Sequence, residues 1–226
     1  MHIVLFDIDG TLLLTGGAGH VAIEHSLRGN FGIEQPAQVA IHGQTDRGIA
    51  KSLFEKHGIE NSQQSWERFR ESYLGHLPHS LRTCTGQVLP GSHEMLVELH
   101  GRPDVAVGLL TGNTRTGAYR KLQHYGIDHY FSFGGFGDDY ACRNEVAQSA
   151  LRSAAEFLNI EPDPKQTWVI GDTPNDIICA RSIGANVVAV ATGNFSFEEL
   201  ESHQPNACFA DLSDWQRVVQ IMLGAE

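Results

Sequence analysis

Apolar residues gather into short, nearly continuous runs at positions 3–6 (IVLF), 105–110 (VAVGLL), 130–133 (YFSF), 167–170 (TWVI) and 187–191 (VVAVA). Most of these residues are β-branched or aromatic, and the runs do not alternate with polar residues, which predicts strands covered on both faces. Between them lie stretches with helical spacing. One spans 114–125 and closes at Gly126, a second spans 144–158 and ends before Pro162, and a third spans 174–183, with Pro174 suited to its start and Gly184 to its end. Strand and helix in alternation predict an α/β fold built on a doubly wound, mostly parallel sheet.

Residues 16–82 break this rhythm. They hold no convincing strand, only amphipathic helical segments at 18–31, 47–57 and 63–81 separated by turn-rich pieces. The pattern predicts a helical insertion over 16–82 in a core made of 1–15 and 83–226.

Three of the apolar runs end in polar clusters: Asp7-Ile8-Asp9-Gly10-Thr11, Thr111-Gly112-Asn113, and Gly171-Asp172-Thr173-Pro174-Asn175-Asp176. In an open parallel sheet the carboxyl ends of the strands share one edge, where ligands bind, so clusters far apart in sequence should meet there. Residues i and i+2 of an extended strand point the same way, which aims Asp7 and Asp9 at one pocket. A lone Asp-x-Asp is more readily a strand-end turn with helix-capping aspartates. With Asp172 and Asp176 at the same edge, however, four carboxylates would repel one another without a cation among them. All-oxygen ligands with no nearby His or Cys cluster suit magnesium.

Charge narrows the partners. With 27 acidic and 16 basic residues the net charge is -11, and Lys and Arg do not cluster, which argues against a nucleic-acid or anionic-membrane surface. The partner expected is a small molecule. No apolar run approaches the ~20 residues of a membrane span and no leader precedes the first strand, so a soluble, cytoplasmic protein is expected. Cys84, Cys142, Cys179 and Cys208 lack paired spacing and read as free thiols.

The three motifs, in this order and each at a strand end, resemble those of the haloacid dehalogenase superfamily in its phosphatase branch. The likeness covers the whole chain, since the helical insertion falls where phosphoglycolate-phosphatase-like and β-phosphoglucomutase-like members carry an α-helical cap. The resemblance implies a phosphomonoester hydrolase acting on a small phosphorylated metabolite with Mg²⁺ as cofactor. Asp7 would be the nucleophile that forms an aspartyl-phosphate, and Asp9 the general acid and base. The metal would be held by the Asp7 carboxylate, the Asp9 backbone carbonyl and Asp172, with Asp176 near by through water or a basic residue. Thr111, helped by the N–H groups of Gly112 and Asn113, would hold the phosphate.

The tripeptide recurs at Thr192-Gly193-Asn194, but only Thr111 precedes the Gly-Asp-x-x-x-Asp motif, so Thr192 reads as a turn at the rim. The family's phosphate-binding lysine has no counterpart here. Lys165 lies too close to the following strand, Lys121 falls in mid-helix and is expected to be solvated, and Arg143, just ahead of the 144–158 helix, stands in the lysine's place. In the insertion, His20, Thr45 and Arg47 are expected over the substrate, beside Gln44 and Asp46. A sugar phosphomutase of the same fold is the alternative reading, and a non-catalytic binding protein the second.

Overall fold

A computed structural model describes residues 1–224. The chain runs through β1 (His2–Phe6), β2 (Leu13–Leu14), α1 (Ala18–Phe31), α2 (Asp46–His57), α3 (Gln63–Thr83), β3 (Gln87–Val88), α4 (Ser92–His100) and β4 (Val105–Leu110). It continues through α5 (Arg115–His124), β5 (Gly134–Gly135), α6 (Arg143–Leu158), β6 (Thr167–Gly171), α7 (Pro174–Ser182), β7 (Asn186–Val190), α8 (Phe197–Ser202), β8 (Ala207–Phe209) and α9 (Trp215–Leu223). A six-stranded parallel sheet in the order β5-β4-β1-β6-β7-β8 forms the centre.

The unbroken apolar runs follow from burial on both faces. Along β1, Val4 and Phe6 pack to one side with α4, α5 and α9, while Ile3 and Leu5 pack to the other with α6 and α7. Because β1 sits between β4 and β6, with Phe6 opposite both Leu109 and Ile170, the carboxyl ends of these three strands are level.

Helices α1, α2 and α3 bury a separate apolar cluster that includes Leu27, Phe54, Trp66, Phe69 and Leu77. The chain enters and leaves this helical segment through one antiparallel pair, Leu13–Leu14 of β2 beside Gln87–Val88 of β3.

One strand differs from expectation. Residues 130–132 stay outside the sheet: Asp128–Tyr130 forms a 3₁₀ turn, Phe133 meets β4 only through its carbonyl, which accepts from the Leu109 N–H at 3.1 Å, and the strand is the glycine pair that follows, with Gly134 opposite Leu109. The aromatic side chains are buried from this loop, and the backbone pairs from the Phe133 carbonyl onward. A Cβ on Gly135 would stand 2.3 Å from the Val146 carbonyl oxygen of α6. The edge strand β8 and helices α4, α8 and α9 had no sequence counterpart. Among the described residues, no helix is long and apolar enough to cross a membrane.

Candidate active site

Asp7 continues the parallel ladder one residue beyond β1, its N–H donating to the Ile170 carbonyl at 2.9 Å. That register sets its side chain, buried, beside the first residues after β6. The chain then turns at Gly10, whose φ of 87° falls in the left-handed region. A Cβ there would lie 2.3 Å from Asp172 Oδ2, so the glycine permits both the turn and the approach of the two motifs.

Oxygens of Asp7, Asp172 and Asp176 lie within 4.8 Å of one another. Arg143, the first residue of α6, reaches in among them. Its Nη2 is 3.1 Å from Asp7 Oδ1 and in contact with Asp176 Oδ1. The other oxygen of Asp176 accepts from the Thr173 N–H at 3.0 Å and the Thr173 hydroxyl at 2.7 Å, in a capping box that starts α7. Asp176 is thus committed through both oxygens, and the basic residue expected near it is Arg143. Asp172 accepts at Oδ1 from the Thr11 hydroxyl at 3.1 Å, and its Oδ2 has no hydrogen-bond partner among the described residues.

One guanidinium does not neutralise three buried carboxylates. Burial, with the Asp176 and Asp9 charges added, pushes the Asp7 carboxyl up to about 6 against the pull of Arg143. Burial and the Asp176 charge likewise hold Asp172 well above the ordinary carboxylate range. A hard divalent cation fits this donor set, in which every candidate ligand is an oxygen and Asp7 and Asp172 are the carboxylates left to hold it.

Beyond β4, Thr111 is fully buried. Its hydroxyl oxygen accepts from the Asn113 N–H at 3.3 Å and from Asn113 Nδ2 at 2.8 Å. Gly112 and Asn113 line the cavity, and Asn113 Nδ2 also donates to Asp9 Oδ2 at 2.8 Å. Thr192 lines the cavity with Gly193 and Asn194, its hydroxyl bonded to the Gly10 carbonyl, whereas Thr111, expected to hold the phosphate, is not among the lining residues. The two like tripeptides therefore support different things: one joins Asp9, the other braces the turn after it.

Lys121 is not solvated, contrary to the expectation for a mid-helix lysine. It is 4% exposed, and its Nζ donates to Asp9 Oδ2 at 2.6 Å and to Asn113 Oδ1 at 2.7 Å. Side chains on a helix lean toward its N-terminus, and the N-terminus of α5 is at the functional edge of the sheet. A signal was present in the sequence: Gly117, Ala118, Lys121 and Leu122 share the buried face of α5, so the lysine occupies a core position of the helical pattern.

A cavity of about 550 Å³ separates this edge from the helical segment and is walled on that side by Ile23, Ile41, Ile49 and Tyr73. His20 lines it, 3.3 Å from Glu24. Thr45 does not: it is fully buried and caps α2, accepting from the Gly48 N–H at 2.9 Å. Arg47 is directed elsewhere, with Nη2 2.9 Å from Gln63 Oε1 and its guanidinium 5.4 Å from the Trp66 ring. Asp46, the first residue of α2, meets the core, as does the Gly43 carbonyl, which accepts from Asn175 Nδ2 at 2.9 Å. The Asp46 N–H donates to the Gly112 carbonyl at 2.7 Å and its Oδ2 accepts from the Thr114 N–H at 2.7 Å. Burial raises its carboxyl to about 6, against the attraction of Lys121.

Comparison with known proteins agrees with this geometry. A family model described as haloacid dehalogenase-like hydrolase matches residues 4–190. The chain is 26% identical to a phosphoglycolate phosphatase of Synechococcus elongatus, covering 98% of this chain and 99% of that protein. It is 24% identical to a probable pseudouridine-5'-phosphatase of Drosophila melanogaster, covering 94% and 90%. In three dimensions it resembles CbbY from Rhodobacter sphaeroides, solved in complex with phosphate, with a TM-score of 0.74 at 15% identity over 95% of this chain and 96% of that one.

Proposed function

Since the chain belongs to the haloacid dehalogenase-like hydrolase family, we propose that it is a Mg²⁺-dependent phosphatase that hydrolyses a small phosphorylated metabolite through an aspartyl-phosphate on Asp7. The observation that carries this reading is the pairing at the end of β1. Asp7 is buried and held by Arg143 next to Asp172, while Asp9, two residues on, opens into the cavity.

Each residue then has a task. A carboxylate oxygen of Asp7 attacks phosphorus as the bond to the leaving oxygen breaks, and Asp9 gives that oxygen a proton. Water next attacks the same phosphorus, Asp9 takes a proton from it, the bond to Asp7 breaks, and inorganic phosphate leaves. The Gly112 N–H and Arg143 balance the charge of the transferring group, while the Asn113 N–H is held by the Thr111 hydroxyl. The Asp7 and Asp172 carboxylates and the Asp9 carbonyl would hold a Mg²⁺, which when bound would supply further neutralisation of phosphate charge. In this reading residues 16–82 are a cap over a core of 1–15 and 83–226, and they exclude bulk water when closed over substrate. A cytoplasmic enzyme of small metabolites goes with it.

The mutase reading needs a cation on the cap to grip a second phosphate. Arg47, the candidate, is engaged with Gln63 and Trp66, and Asp46 occupies the loop. Hydrolysis is therefore the favoured reading. The test is release of inorganic phosphate from a panel of phosphorylated metabolites by the purified protein, with and without Mg²⁺. No release from any ester would overturn it.

A further inference from the structure

The two oxygens of Asp9 are in unlike surroundings. Oδ2 accepts from Lys121 Nζ at 2.6 Å and from Asn113 Nδ2 at 2.8 Å, whereas Oδ1 has no hydrogen-bond partner among the described residues. The side chain is 40% exposed, so the free oxygen belongs to the cavity side.

The clamp is a closed triangle. Lys121 Nζ also donates to Asn113 Oδ1 at 2.7 Å, which leaves the Asn113 amide nitrogen facing Asp9 and the Thr111 hydroxyl. Turning that amide over would set an NH₂ group against an ammonium, so the lysine determines the orientation of the asparagine as well. Its stem is buried in α5, and a buried ammonium without its carboxylate is costly, which favours this one arrangement. Arg143 takes no part in it, being committed to Asp7 and Asp176.

We propose that Lys121 is the positioning residue of the proton-transfer step: it holds Oδ2 of Asp9 so that Oδ1 is the atom that moves the proton. This rests on the reading of Asp9 as general acid and base. With the proton on Oδ1, Oδ2 is a carbonyl oxygen that still accepts from Lys121 and Asn113. As the phosphorus–oxygen bond of the ester breaks, the proton passes from Oδ1 to the leaving alkoxide. As water then bonds to phosphorus and the bond to Asp7 breaks, a proton of that water returns to Oδ1. The substrate class that needs the device is an ester of an alcohol, whose alkoxide leaves poorly without a proton.

The test compares wild type, Lys121→Met, Lys121→Arg and Asp9→Asn on glycerol phosphate and on p-nitrophenyl phosphate, whose leaving group needs no proton. For Lys121→Met the expected result on glycerol phosphate is a kcat lower by on the order of a hundredfold with KM within a few-fold. On p-nitrophenyl phosphate the first turnover stays fast and the phosphoenzyme decays slowly, giving a burst of nitrophenol larger than that of wild type. Lys121→Arg should recover part of the alkyl-ester rate.

A raised KM with kcat kept would mean that Lys121 binds substrate, and equal losses on both esters without a burst would mean a structural role. Either overturns the proposal. If Asp9→Asn shows the burst and Lys121→Met does not, the role of Asp9 stands and that of Lys121 falls. If neither shows it, the reading of Asp9 falls and the proposal with it. Should Lys121→Met lose its cooperative melting, Lys121→Gln carries the same comparison.

Discussion

Nη2 of Arg143 lies 3.1 Å from Oδ1 of Asp7, and both side chains are buried. This contact joins the N-terminus of α6 to the end of β1 and puts a fixed positive charge on the oxygen pair that would attack phosphorus. Arg143→Ala should lower kcat/KM by on the order of a hundredfold or more, because a charge-assisted contact to the transferring group is lost. It should also destabilise the fold by about 3–5 kcal/mol, since Asp7 and Asp176 would remain buried without their partner. Lys165→Ala, at an exposed position, should change neither quantity. Steady-state kinetics and denaturant melts of the two variants check this, and equal small effects would leave the phosphate-binding cation elsewhere.

Asp7→Asn should abolish turnover in a protein that still folds. The amide keeps the shape of the side chain and removes the attacking oxygen, together with one charged metal ligand. Burial already penalises the ionised form of Asp7, so the neutral amide should melt no lower than wild type without metal. Activity near the wild-type level in this variant would refute the nucleophile assignment.

The meeting of the carboxylates is legible in the sequence. Asp7, Asp9 and Asp172 stand at the ends of runs whose register is dictated by two-sided burial, so their meeting follows from sheet topology alone. The helix start at 143 indicates the arginine that meets Asp7 and Asp176, while the choice of Thr111 over Thr192 is a reading from motif order. Lys121 was hidden because a lysine on a helix is ordinarily solvated, and only the buried neighbours Gly117, Ala118 and Leu122 betray its side. Thr45 and Arg47 show the complementary limit. Whether a loop residue caps its helix, stacks on Trp66 or faces a ligand depends on contacts between segments that no local pattern encodes. The strand at Gly134–Gly135 was misplaced for a related reason: its pairing is a backbone matter, and the apolar residues beside it are loop residues.

Magnesium should stabilise the protein more at pH 7.5 than at pH 5. The Asp7 carboxyl, raised to about 6, and the raised Asp172 carboxyl bind protons in the folded state more tightly than in the unfolded chain. Their contribution to metal-free stability is therefore present below the unfolded carboxylate range and is lost as pH rises through the folded values. A cation must displace these protons, so its binding releases them and weakens as pH falls. Thermal melts with and without Mg²⁺ across this range check the trend, and a shift in melting temperature that grows toward pH 5 would contradict it. Chelation should remove activity, and Ca²⁺, larger and with looser geometry, should restore it poorly.

Hydrolase and mutase part after the first phosphoryl transfer. Both would carry phosphate on Asp7, and they differ in what meets it next: water in one, a sugar phosphate gripped by the cap in the other. A mutase needs a cation over the cavity for the distal phosphate. Arg47 has its guanidinium on Trp66 and its Nη2 on Gln63, while Asp46, pinned to the Thr114 N–H at 2.7 Å, presents a carboxyl group at the cavity wall. When ionised, that group repels a second phosphate by Coulomb interaction, and Lys121 beside it already serves Asp9. With β-glucose 1-phosphate as substrate, free phosphate should therefore form at a rate that glucose 1,6-bisphosphate does not raise, with no glucose 6-phosphate produced. Following both products in parallel decides the matter: isomerisation that depends on the bisphosphate, with little phosphate released, would replace the hydrolase by the mutase.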